Sequence, residues 1–260
     1  MRSTPYELRL ESPDGQEYTF LSADGVESKD SFRDSELLII DNVDFKNDDV
    51  LVAEANYGLM GVVIGDENTG KTVLAETSQR AVQLCRKNLE LNNVDSLVIG
   101  KSFYSEIERE FEGVVYSPKG YEPIELVKNR IVEIIKLLES DGELYISGKN
   151  KEGIKRYAKL LKDLEGDLEK VEQRGSTRLY KYVRSADAEL PEINIGRKYI
   201  SEIGNERLEL KSCEGLFSYN SLDSASRLLI ESITIESSDD VLDVCCGYGA
   251  IGIWLQRLYD

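Results

Sequence analysis

The chain has 260 residues, 41% of them hydrophobic, with 32 Lys+Arg against 49 Asp+Glu and a net charge of −17. It is too apolar to be disordered, lacks the run of about 18 apolar residues that a membrane span needs, and is too acidic to coat polyanions indiscriminately. Histidine is absent, which excludes His triads, His general bases and His metal sites, and Cys85, Cys213, Cys245 and Cys246 show no CxxC spacing.

In chain order, residues 6–10 and 17–20, joined by Pro13-Asp14-Gly15, read as a hairpin. A short helix over 37–40 leads through a polar turn to an apolar strand at 50–53 and a Gly-bearing turn. Residues 72–76 read as a strand. Ser78 caps a helix over 79–91, whose Ala81, Val82, Cys85 and Leu89 share one face. Strands follow at 96–99 and 113–116, a helix at 127–138, a strand at 143–146, a helix at 152–164 and a closing hairpin from 171–173 and 179–183. Strands alternating with helices at this spacing predict an α/β fold, a doubly wound, Rossmann-like parallel sheet. Residues 185–191 read as a linker, 228–233 as a helix and 241–244 as a further strand, with room for one more helix behind it.

The chain also repeats itself. DDVLVAEANYGLMG at 48–61 returns as DDVLDVCCGYGAIG at 239–252, an offset of 191 residues. Upstream, Ser35-Glu36-Leu37-Leu38-Ile39 faces Ser226-Arg227-Leu228-Leu229-Ile230 without a gap, and 11 of the 32 positions from 30 to 61 are identical to their counterparts. The first copy uses the stretch from Val50 to Val183 for its sheet, whereas only 20 residues run from Val241 onward. The expected organisation is therefore a degenerate domain at 1–184 with its N-terminal hairpin, a linker at 185–192, and the truncated beginning of a second, catalytic-type domain at 193–260.

Gly247-Tyr248-Gly249-Ala250-Ile251-Gly252 fits GxGxxG, a turn used for dinucleotides and for adenosyl cofactors alike. Asp243 lies four residues before the first glycine, and the small Cys245 and Cys246 fill the turn. Glycines there let the backbone approach a ligand, and the following helix N-terminus can receive a carboxylate, which suits the methionine portion of S-adenosylmethionine. Cys245-Cys246 has no visible partner base and reads as packing.

The stretch Val241-Leu242-Asp243-Val244-Cys245-Cys246-Gly247-Tyr248-Gly249 resembles the first motif of class I S-adenosylmethionine-dependent methyltransferases. Glu214-Gly215-Leu216-Phe217-Ser218 with Leu222-Asp223 resembles the Pro-Gly-x-Phe-Ser…Leu-Asp entry of the two-domain small-methyltransferase (MTS) proteins, the ribosomal RNA guanine-N2 methyltransferases, with Glu214 standing where that family has Pro. The resemblance implies a degenerate N-terminal copy, S-adenosylmethionine as cofactor, Asp243, Cys245, Gly247 and Gly249 at its pocket, and ribosomal RNA as partner. It also implies an acid at the end of the second strand for the ribose hydroxyls and an Asn-Pro-Pro-aromatic motif after the fourth. By the 191-residue offset both fall past Asp260 in the second copy, so the catalytic residues are unknown. In the first copy Glu76 takes the ribose position, but Val52 replaces Asp243, Asn56 replaces Gly247, and Tyr116-Ser117-Pro118-Lys119-Gly120-Tyr121 stands in for the amine-gripping motif. This reads as a decayed site.

Two further motifs have blander readings. Gly65-Asp66-Glu67-Asn68-Thr69-Gly70-Lys71-Thr72 matches the P-loop pattern, but a strand instead of a helix follows its Lys-Thr, and Asp66 and Glu67 would repel phosphate. Lys149, Lys151 and Lys155, continued by Lys159 and Lys162 with Arg156 beside them, form a basic stripe. It is either a solvated helix face or an RNA-backbone contact. The expected function is methyl transfer to a guanine exocyclic amine of small-subunit ribosomal RNA by a protein of which this chain alone is inactive. The alternatives are a non-catalytic RNA- or protein-binding module, a small-molecule methyltransferase in the first copy, and a P-loop NTPase. The expected setting is cytoplasmic, without membrane or metal; the acidity fits a salt-loving host equally well.

Overall fold

The computed structural model describes residues 6–12, 15–100, 104–192, 196–203 and 206–259. Pro13 and Asp14 of the predicted turn lie outside them. The chain divides into two compact units, Met1–Pro191 and Glu192–Asp260.

The first unit opens with the hairpin β1 (Tyr6–Glu11) and β2 (Glu17–Ser22), then α1 (Asp34–Ile40), β3 (Val50–Ala53), α2 (Leu59–Glu67), β4 (Thr72–Glu76), α3 (Gln79–Leu91) and β5 (Leu97–Gly100). It continues through β6 (Phe111–Tyr116), α4 (Ile124–Lys136), β7 (Leu138–Lys149), α5 (Ile154–Asp163), β8 (Gly166–Arg174) and β9 (Thr177–Arg184). Ser78 caps α3 as expected, its hydroxyl accepting from the Ala81 amide. The predicted 127–138 helix ends two residues earlier, because Leu138 opens the long strand β7 and pairs with Phe111.

Seven strands form one mixed sheet in the order β5-β4-β3-β6-β7-β9-β8. Strands β3 to β7 pair in parallel, and the β8–β9 hairpin closes the sheet antiparallel to β7. The central β3 is fully buried, and its alternation splits the core. Val50 and Val52 face the layer of β2, α1, α2 and α3, while Leu51 and Ala53 face α4 and α5. The β1–β2 hairpin is tied to α3 by Asn88 and Asn92, whose amide groups exchange hydrogen bonds with the backbone of Leu21 and Thr19.

The second unit contains a hairpin absent from the sequence reading, β10 (Arg197–Ile203) and β11 (Glu206–Ser212), then α6 (Ser224–Ser232) and α7 (Ala250–Tyr259). The predicted strand at 241–244 does not form. Leu242 is 84% exposed and Val244 74%, whereas Val50 to Ala53 at the matching positions are all at 0%. The reason is pairing: β3 lies between β4 and β6, and no strand among the described residues flanks 241–244.

The backbone nonetheless repeats closely. Glu54, Asn56 and Gly58 have φ of 51°, 53° and 96°, and Cys245, Gly247 and Gly249, each 191 residues on, have 63°, 58° and 80°. In both turns the glycine amide closes on the carbonyl three residues back at 2.8 Å, Gly58 on Ala55 and Gly249 on Cys246. The likeness extends upstream of the stretch matched in sequence, with the offset reduced to 190. Gly25 and Gly215 have φ of 90° and 94°, Ser28 and Ser218 of 50° and 53°. The gapless alignment is thereby corrected: α1 and α6 start 190 residues apart, and one extra residue separates α6 from its glycine turn.

Candidate functional site

In an open parallel sheet, ligands bind beyond the carboxyl ends of the strands where the strand order reverses. Here that point lies between β3 and β6. Three segments of the first unit meet there: the turn at 54–58, Glu76 at the end of β4, and the loop at 117–123 after β6.

Glu76 is completely buried and its carboxylate is fully engaged. One oxygen accepts from the Asn56 amide at 2.8 Å. The other accepts from the Thr77 and Ser78 amides, each at 2.8 Å, and from the Lys119 ammonium at 3.0 Å. Lys119 also lies 3.9 Å from Glu54, and Glu54 is ion-paired with Arg130, which in turn holds Glu122 at 2.7 Å. Burial works against the Lys119 ammonium, but the Glu54 and Glu76 carboxylates outweigh it and raise its pKa. Arg33 donates to the Ser117 and Pro118 carbonyls, at 3.0 and 2.6 Å, and so fixes the same loop. The Asn56 side chain donates to the Glu27 carbonyl at 3.0 Å. The turn, the strand end and the loop are thus cross-linked by the chain's own groups.

Gly58 is needed twice. Its φ is left-handed, and a Cβ there would approach the Cys85 Cα of α3 to 3.3 Å.

The sequence reading missed Arg130 and Arg33, and named Lys119 only as part of the 116–121 segment, without a role. Arg130 carried a usable signal: it falls on the face of α4 shared by Val127, Ile131 and Ile134, so a charge there had to be buried and paired.

In the second unit, Asp243, Cys245, Gly247 and Gly249 lie together on the turn that opens α7. The glycine turn is exposed at Cys245 and Gly247. One oxygen of Asp243 is buried without a hydrogen-bond partner, an arrangement that a ligand donor would satisfy.

The three basic residues do not behave alike. Lys149 pairs with Asp34 at 2.7 Å, while Lys151 and Lys155 are exposed. With Arg156, Lys159 and Lys162 they make no ion pair within the described residues. The P-loop-like segment runs from α2 through a turn into β4, the reverse of strand–loop–helix. Its amides are already used: Thr69 donates to the Lys46 carbonyl, Gly70 to the Asn68 side chain and Lys71 to Asp49. No phosphate cradle remains there. Among the described residues no group of three or more Cys, Asp or Glu is placed to hold a metal, and no helix is long and apolar enough to cross a membrane.

Comparison with known proteins gives a consistent picture. Ribosomal RNA small subunit methyltransferase C of Pseudoalteromonas atlantica is 29% identical over 151 residues, covering 56% of this chain and 43% of that protein. The Pseudomonas paraeruginosa protein of the same name is 30% identical over 119 residues, 45% of this chain and 36% of its own. The matched stretches therefore span less than half the length of these relatives. Among solved structures, the T. thermophilus 16S rRNA methyltransferase RsmC, in complex with AdoMet and guanosine, superposes with a TM-score of 0.68 at 19% identity, over 87% of this chain and 57% of that one. That likeness concerns the fold. The methyltransferase small domain family matches residues 17–181 and again 207–260. With the two matched stretches together covering more than half of the chain, the chain belongs to the methyltransferase small domain family.

Proposed function

We propose that this chain serves S-adenosylmethionine-dependent methylation of a guanine exocyclic amine in small-subunit ribosomal RNA. In this reading residues 193–260 open the catalytic-type domain, and residues 1–184 are a degenerate copy that docks the RNA. The observation that carries the reading is the pair of matched turns, with the same three left-handed positions and the same closing hydrogen bond. In the first turn, side chains of the chain itself bridge to the neighbouring strand end. The second presents two glycines, an unpartnered Asp243 oxygen and the N-terminus of α7, a set that fits an adenosyl amino acid.

S-adenosylmethionine supplies an electrophilic methyl group. The guanine amine is a poor nucleophile, its lone pair being delocalised, so the protein's task is orientation in a water-poor site. Gly247 and Gly249 would let the backbone close on the cofactor, and Asp243 would accept a hydrogen bond from it. Glu76, with five donors of the chain itself already in place, acts as a structural tie in the first unit.

Calorimetry with S-adenosylmethionine tests these assignments. Binding abolished by Asp243→Ala and retained in Glu76→Gln supports the second unit as the cofactor site; the opposite pattern moves the site to the first unit. We expect residues 1–260 alone to transfer no methyl from labelled S-adenosylmethionine to 16S RNA, because the described residues include neither a second strand-end acid nor a gripping motif for the second turn. Measurable turnover would overturn that part. A second reading, a non-catalytic binding module, is favoured by the ion network across the first site and prevails if no cofactor binds at all.

A further inference from the structure

Tyr121 is 74% exposed, in the loop between β6 and α4, although the backbone on either side of it is held in place. The Ser117 and Pro118 carbonyls accept from Arg33, the Gly120 amide donates to Glu27 at 3.3 Å, and the Glu122 amide closes on the Lys119 carbonyl at 3.2 Å. A large aromatic ring is thus presented to solvent from a fixed loop, where a flat ligand would bind with little ordering cost.

The acids around the ring are all engaged. Glu27 pairs with Arg33 at 3.3 Å, Glu122 with Arg130 at 2.7 Å and Glu125 with Lys128 at 2.6 Å, while Glu152 accepts from the Lys149 amide at 3.0 Å. The cations are not engaged. Lys151, Lys155, Arg156, Lys159 and Lys162 are exposed and make no ion pair within the described residues. The two features adjoin. A Cβ on Gly120 would lie 2.9 Å from the Glu152 side chain, and one on Gly153 only 2.5 Å from Ile124, so the loop before α4 rests against the turn before α5. In a molecule of net charge −17, five exposed cations that begin on the turn adjoining this loop and continue along α5, with no ion pair among the described residues, form a local exception.

We propose that Tyr121 is a stacking platform for one unpaired RNA base, with the α5 cations holding the adjoining phosphates. A ring reads an unstacked base regardless of its identity, while a basic track follows the backbone, and a paired base has no free face to offer. This deepens the RNA-docking reading above and rests on it.

The test is fluorescence anisotropy of the 260-residue chain with a labelled single-stranded RNA of mixed sequence, against a hairpin duplex of the same composition, over a series of salt concentrations. Tyr121→Ala should weaken single-strand binding about 5- to 150-fold, with Tyr121→Phe near the parent, because stacking contributes about 1–3 kcal/mol per base. Its salt slope should be unchanged, since no phosphate contact is lost. Lys155→Ala and Lys159→Ala should each reduce the slope by about 0.7. Thermal melting should be the same for all, as these side chains are exposed. Parent-like binding by Tyr121→Ala, with reduced slopes for the lysine variants, overturns the stacking role and leaves the docking stripe standing. Equal affinity for duplex and single strand also overturns it. No RNA binding by the parent chain overturns both readings, and a protein partner captured through this face instead would replace them.

Discussion

Glu76 shows how a buried carboxylate at a strand end can tie a fold together. Its neighbours Asn56, Thr77, Ser78 and Lys119 come from three segments, so one group ties the turn, the strand end and the loop together. Lys119→Ala should therefore destabilise the first unit by about 3 kcal/mol in urea unfolding, the lower end for orphaning a buried charge, since three backbone amides still serve Glu76. A loss below about 1 kcal/mol would mean the ammonium is dispensable. Glu36 makes a second, pH-dependent case. Burial raises its pKa to about 7 from 4.5. The folded state then binds more protons than the unfolded one between those values, so this group's contribution is most favourable at low pH and declines as pH rises to about 7. The span is about 3 kcal/mol. The melting temperature should rise from pH 8 to pH 6, and Glu36→Gln should be stabilised at pH 8 with a flatter profile. An unchanged profile in Glu36→Gln would place the pH dependence elsewhere.

Secondary-structure elements separate what local sequence decides from what partners decide. VLVA at 50–53 and VLDV at 241–244 have nearly the same propensity, and each leads into a turn of the same left-handed φ pattern. Only the first is a strand, because only it is flanked by β4 and β6. A strand is completed by hydrogen bonds its neighbours provide, so period and composition predict it only where those neighbours exist. Amide exchange should follow this: Leu51, Val52 and Ala53 strongly protected, Leu242, Asp243 and Val244 exchanging close to the rate of an unstructured chain. Strong protection of the second set would show that it has found a pairing partner. Turns behave differently. Gly58 and Gly249 answer to local sterics, and their sequence signal was sufficient. The β10–β11 hairpin went unseen because its strands carry little identity to β1 and β2, although the alternation of Leu208 and Leu210 with charged neighbours in β11 was a usable strand signal and the Gly215 and Ser218 turn behind it matches Gly25 and Ser28 in backbone angles.

For the whole molecule, the net charge of −17 acts through self-repulsion. Added salt shortens the Debye length to about 3 Å at 1 M and relieves that repulsion, so the melting temperature should rise between low salt and 1 M KCl. A fall would show that favourable exposed ion pairs outweigh the net repulsion. The same salt should weaken RNA binding, so stability and docking should respond to it in opposite directions.

The alternation of strands and helices in the first unit, the capped α3 and the likeness of the two glycine turns were all legible in the residues themselves, since each depends on periodicity, capping or φ preferences a few residues apart. The same information marked Glu76 and Asp243 as candidates. Tertiary structure alone decided that Glu76 is saturated by groups 20 and 43 residues away, that Lys119 is buried with acids, that Glu54 and Glu122 are the partners of Arg130, and that 241–244 stays unpaired. Hydrogen-bond saturation and burial depend on which distant segments converge on a group, and one-dimensional pattern does not encode that convergence.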